Sequence, residues 1–112
     1  MNNEFRFVKN QNGGFTKVNF EEILFVKSLG NYLQFVTTNG SFVSLGALQS
    51  LESILSESGK FARAHKSYIV NLDRIDQLTP DGLNIAGHAI PVGGKFLDHI
   101  KNEFILENLL KI

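Results

Sequence analysis

The sequence predicts a mainly β, antiparallel protein of short strands and short connections, with one internal helix and a C-terminal helix. Three observations carry that prediction. Short runs of alternating or β-branched and aromatic residues recur along the chain, as in Phe5 to Lys9 and Tyr32 to Thr37. Gly and Asn punctuate these runs at intervals that leave only short connections. The apolar period turns helical in two places, at Leu48, Leu51 and Leu55 and again at Phe96, Leu97, Ile100 and Phe104.

Taken in order, Glu4 to Lys9 alternates polar and apolar residues and reads as a strand. Asn10-Gln11-Asn12-Gly13-Gly14 is a turn, since Gly and Asn accept positive φ, and Phe15 to Val18 is the return strand of a hairpin. Phe20-Glu21-Glu22 connects tightly to a third strand, Ile23 to Lys27. Ser28-Leu29-Gly30-Asn31 turns into a fourth, Tyr32 to Thr37. Asn39-Gly40 is the strongest short hairpin signal, with Ser41 to Ser44 returning. The internal helix follows over Gly46 to Leu55 and stops by Gly59. Phe61 to Lys66 has no decisive period, whereas Ser67 to Asn71 and Arg74 to Leu78 read as strands. Pro80-Asp81-Gly82 turns into Leu83 to Ile85, and Gly87-His88 turns into Ala89 to Val92. Gly93-Gly94 breaks the pattern, and the C-terminal helix runs from Lys95 through Phe104 and Ile105. The total is about eight to ten short strands. There is no linker, repeat or low-complexity stretch, so residues 1–112 form one expected domain.

Composition narrows the function classes. Hydrophobic residues make up 43% and charged residues 20% of the 112, an ordinary globular balance. No apolar run approaches the roughly 20 residues of a membrane span. Met1-Asn2-Asn3-Glu4 does not open a secretory signal, so a cytoplasmic location is expected. The absence of Cys removes disulfides, thiolate metal sites and cysteine nucleophiles. Eleven basic residues balance eleven acidic ones, which by itself argues mildly against nucleic-acid binding. The distribution is uneven, however: Lys60, Arg63 and Lys66 stand with His65 and no acid between them.

Five groups of residues invite a chemical reading. Arg63-Ala64-His65-Lys66-Ser67-Tyr68 offers cations and a hydroxyl suited to phosphates and base edges, or else a solvated strand or turn. His65 and Ser67 lack the surrounding context of a nucleophile–base pair, and Glu21 and Glu22 would face opposite ways on a strand, so no enzyme site is expected. His65, His88 and His99 lack metal-ligand spacing, and no cofactor is expected. Pro91-Val92-Gly93-Gly94-Lys95 can cradle a phosphate at a helix start or simply turn the chain. Lys27-Ser28-Leu29-Gly30-Asn31-Tyr32 carries an Asn that reads adenine bidentately or supplies turn chemistry.

These residues together resemble a LytTR DNA-binding domain, the output module of bacterial LytR/AlgR-type response regulators in two-component systems. The resemblance covers about Asn19 to Phe104. It rests on Glu22-Ile23-Leu24-Phe25-Val26-Lys27, then Gly30-Asn31-Tyr32, the helix Leu48 to Leu55, and Ile75 and Ile90-Pro91-Val92 in order. Its most specific part is Phe61-Ala62-Arg63-Ala64-His65-Lys66-Ser67-Tyr68-Ile69-Val70-Asn71, similar to the family signature F-x-R-x-H-[RK]-S-[YF]-x-V-N.

The resemblance implies a mainly β fold of several small antiparallel sheets whose loops enter successive grooves of double-stranded DNA, in transcription regulation and with two copies on repeated half-sites. It implies one contact from Lys27, Ser28, Asn31 and Tyr32, with Asn31 the base reader. A second comes from Arg63, His65, Lys66 and Ser67, with Lys66 on a base. In this reading Arg63 either touches DNA or holds the motif in shape. A third falls after Val92, where many members carry a polar or basic pair and this chain carries Gly93-Gly94 before Lys95. That contact passes to Lys95, to main-chain amides, or is lost. Family regulators usually carry a receiver domain upstream, driven by a sensor kinase; about 20 residues precede the resemblance here, as in a stand-alone regulator or an excised domain. The rival class is a small-molecule or protein-binding sensor domain, which the zero net charge and ten Phe residues suit.

Overall fold

The computed structural model describes residues 4–112; Met1 to Asn3, the first residues of the expected 1–112 domain, lie outside the described residues. Among the described residues ten strands form three antiparallel sheets. The first is a hairpin of β1 (Phe5–Lys9) and β2 (Phe15–Asn19). The central five-stranded sheet has the order β5-β4-β3-β7-β6, built from β3 (Ile23–Leu29), β4 (Tyr32–Thr37), β5 (Gly40–Leu45), β6 (Phe61–His65) and β7 (Tyr68–Asn71). The third is the meander β8 (Gln77–Thr79), β9 (Gly82–Ile85) and β10 (His88–Ile90). Helix α1 (Leu48–Leu55) crosses between β5 and β6, and α2 (Gly94–Ile100) follows β10.

The five-stranded sheet is covered on both faces, and β3 shows why it must be. Ile23, Leu24, Phe25 and Val26 are all buried, a continuous apolar run instead of an alternation. The β3–β4 pairing slips between Ile23 and Phe25, and this bulge turns Leu24 and Phe25 to the same side. One core gathers Ile23, Val26, Leu33, Phe35 and Ile69 under α1, through Leu48 and Leu55, and under the first hairpin, through Val18. The other gathers Leu24, Phe25, Ala62, Ala64 and Val70 under the β8–β10 meander, through Leu83, Ile85 and Ile90, and under α2, through Ile100.

The expected class and both helices are present, with several boundaries moved. Ser28 and Leu29, read as turn, extend β3. Thr38 and Asn39 form the two-residue loop of the next hairpin, and Gly40 (φ 114°) opens β5. Phe61 to His65 is a strand although its period is obscure, because Ala62 and Ala64 face one core and Phe61 the other. Arg74 ends a 3-10 turn, and the strand expected over Arg74 to Leu78 begins at Gln77. The strand expected to reach Val92 ends at Ile90. Helix α2 starts at Gly94, one residue early, and passes into a π-helical stretch over Lys101–Ile105.

Candidate nucleic-acid interface

Three chain segments meet at one end of the five-stranded sheet. Lys27 sits opposite Tyr68 on the β3–β7 ladder, so the β3–β4 turn and the β6–β7 turn project from the same end. The Ser28 amide donates to the Ser67 carbonyl at 2.9 Å and joins the two turns through main chain. The Gly93 amide donates to the Ala64 carbonyl at 2.8 Å and fastens the third segment to β6. The order across this end is therefore Asn31, then Lys66, then Gly93 to Lys95.

The β3–β4 turn has Gly30 and Asn31 as its two loop residues, between the paired Leu29 and Tyr32. Gly30 carries the positive φ (66°) and Asn31 does not, which is the pattern of a type II′ hairpin. Asn31 is thus not required for turn chemistry. Its carbonyl accepts from the Gly46 amide at 3.0 Å, which fixes the backbone, and its side chain is exposed with no hydrogen bond among the described residues. Tyr32 and Leu29 flank it, each 41% exposed.

The β6–β7 turn places Lys66 and Ser67 between the paired His65 and Tyr68, and neither has a positive φ. A two-residue hairpin without a left-handed residue mismatches the twist of its strands and needs outside support. Arg63 and His65 supply it. Arg63 donates from Nε to the His65 carbonyl at 3.0 Å and from Nη2 to the Lys66 carbonyl at 3.1 Å. Its Nη1 is paired with Glu52 of α1. His65 Nδ1 accepts from the Ser67 amide at 3.1 Å, so the neutral ring carries its proton on Nε2 and offers a donor there. Lys66 is left exposed at the apex.

In the third segment, the space a side chain at Gly93 would take is filled by the Phe96 ring, 3.1 Å from the Cβ position. Gly94 faces open space. The Lys95 ammonium lies 5.0 Å from the centre of the Phe96 ring and supplies the positive charge of this segment. Lys27 supplies that of the first, 5.7 Å from the centre of the Tyr68 ring.

The neutral total charge conceals an uneven placing of the acids. No Asp or Glu occurs in residues 23–51, 58–72 or 82–97, the stretches that build these segments. Glu21, Glu22, Asp73 and Asp76 sit around the opposite end, where β3 begins and β7 ends. The acid-free stretches were visible in the sequence, but only the antiparallel pairing stacks them at one end. Glu52, which anchors Arg63 from α1, carried no sequence signal, because the helix and β6 meet only in the fold. Among the described residues no cluster of His, Cys, Asp and Glu could hold a metal, and no helix is long and apolar enough to cross a membrane.

The model of the LytTr DNA-binding domain matches residues 13–104. The chain belongs to this family. A LytTr domain from Bacillus cereus, in a protein described as a methyl-accepting/DNA response regulator, superposes with a TM-score of 0.74. It is 21% identical, and the match covers 88% of this chain and 94% of that one, which shows a shared fold. No curated protein sequence matches the chain significantly. The LytTr family is one of DNA-binding domains in transcription regulation, and membership carries DNA binding, not catalysis, as the class of activity.

Proposed function

We propose that this LytTr domain binds double-stranded DNA sequence-specifically, with Asn31 and Lys66 reading base edges. Lys27, Ser28, Tyr32, His65, Ser67 and Lys95 hold the backbone on either side, while Gly93 and Gly94 let main chain approach it. Phosphate contacts position the domain, and the two polar side chains at the turn apices discriminate. Arg63 acts as a positioning residue for Lys66. The observation that carries this reading is the alignment of three exposed, acid-free segments at one end of a rigid sheet, joined by the Ser28–Ser67 and Gly93–Ala64 hydrogen bonds.

In this reading the domain is the output module of a two-component response regulator, with two copies on repeated half-sites and a receiver domain or sensor kinase upstream. The Bacillus cereus relative is described as a response regulator, which supports that setting.

Fluorescence anisotropy against a random duplex pool at two salt concentrations tests the reading, with Lys66→Ala beside the wild type. Binding that weakens steeply with salt and drops in the variant is expected. A folded chain that binds no duplex at low salt would overturn it and shift the weight to a ligand- or protein-binding sensor domain.

A further inference from the structure

An open apolar groove of about 430 Å³ lies between the first hairpin and α1, on the side of the central sheet away from α2. Phe7 (64% exposed), Leu45 (70%) and Ile54 (49%) form its rim, over a floor that includes Val18 and Leu51. Arg6 and Lys9 are its charged lining residues, with no acid among them. On the opposite face of the sheet, the segment after α2 is anchored by Ile100 and Ile105 and then presents uncovered apolar side chains. Leu109 is 55% exposed and Leu110 80%. Glu103 and Glu107 stand exposed before them, and Lys111 lies exposed between Leu110 and Ile112.

The groove has an apolar floor with Arg6 and Lys9 in its lining, and the apolar tail is preceded by Glu107, so the two match in apolar character and in the charge at that end. The groove and the anchors of the tail, Ile100 and Ile105, belong to opposite faces, so the two do not form a single patch to present across a two-fold axis. They meet when copies stack in the same orientation, a heterologous contact. Same-way stacking is the arrangement of copies on directly repeated half-sites, and Leu45 and Gly46 bring the groove up to the main chain of the Asn31 turn. We infer that the Leu109–Ile112 tail of one copy docks in the groove between the first hairpin and α1 of the next, with Glu107 against Lys9 or Arg6. The use of this contact on DNA rests on the proposed function; the contact itself is tested without DNA.

The full chain is followed by sedimentation velocity and methyl NMR up to about 1 mM, the effective concentration that short tethering supplies. Reversible association is expected, moving the Leu45 and Ile54 methyls together with those of Leu110 and Ile112 and sparing those of Val92, which packs in the other core. Ile54→Asp and Leu110→Asp each abolish it, and both alter exposed side chains, so the fold is kept. Mixed in equal amounts, the two variants regain one contact, through the intact groove of one and the intact tail of the other, and stop at a dimer. Lys9→Glu weakens association several-fold, and Glu107→Lys in the same chain restores it. A monomer at every concentration, association indifferent to both variants, or a mixture no stronger than its parts overturns the inference. Ile54 methyls that respond to added decanoate but not to protein concentration also overturn it, and assign the groove to an amphipathic carboxylate. Salt-dependent anisotropy on duplex DNA, run on the same samples, reads the DNA-binding function separately.

Discussion

Arg63 Nη2 donates to the carbonyl of Lys66 at 3.1 Å, so the side chain that closes the β6–β7 turn belongs to the strand that enters it. With Nε on the His65 carbonyl and Nη1 on Glu52, each of the three guanidinium nitrogens has a partner within the protein. Arg63→Ala is therefore expected to lower stability by about 1.5–3 kcal/mol, the worth of charge-assisted hydrogen bonds. Urea unfolding measures this. Specific DNA affinity falls as well, but the slope of affinity against salt keeps its wild-type value, since no phosphate contact is removed. Arg63→Lys does not rescue, because an ammonium lacks the planar fork that spans two carbonyls.

Asn31→Ala and Lys66→Ala remove side chains that hold nothing in the fold. Each is expected to cost about 1–3 kcal/mol on a site selected from the duplex pool, with an unchanged melting temperature. Lys95→Ala, in contrast, weakens binding to all sequences alike and reduces the salt slope by about one. Anisotropy titrations on selected and scrambled duplexes separate the two behaviours.

Asn71 ends the signature segment, and its role is internal. It is 2% exposed; Nδ2 donates to the Ile23 carbonyl at 2.8 Å and Oδ1 accepts from the Asp73 amide at 3.1 Å. Asn71→Leu leaves a buried carbonyl unpaired, at a cost of about 1–3 kcal/mol. Thermal unfolding is expected to register that loss, while DNA affinity measured well below the transition stays near wild type.

Gly82 opens β9 at φ 141°, and a Cβ there would lie 2.5 Å from the Ile90 carbonyl oxygen. Gly82→Ala forces backbone apart in the meander and is expected to destabilise by about 1–3 kcal/mol or more. Chemical denaturation checks it. An unchanged midpoint would mean that the meander yields freely to a methyl group.

Much of the fold was legible because hairpin chemistry is local. Asn10 to Gly14, Gly30 and the Pro80-Asp81-Gly82 turn announce themselves, and Leu48, Leu51 and Leu55 mark a helix by spacing. Phe61 to His65 was not legible, because a strand buried between two cores loses the alternation that identifies strands. At the site, Asn31 and Lys66 stood out as residue types, but their kinship did not. Ser28 and Ser67 are far apart in sequence, and only the β3–β7 pairing brings their amide and carbonyl together. Arg63 stood out as a cation, but its three partners, one of them on α1, meet it only in the fold.

The Ser28–Ser67 and Gly93–Ala64 links use only peptide groups. The pitch between the probing tips is consequently independent of which side chains the tips carry. On the proposed reading, exchanging the residues at positions 31 and 66 is expected to alter the preferred letters without shifting the frame in which they are read. A scaffold of this kind lets target preference drift by single substitutions, each tried on an unchanged ruler.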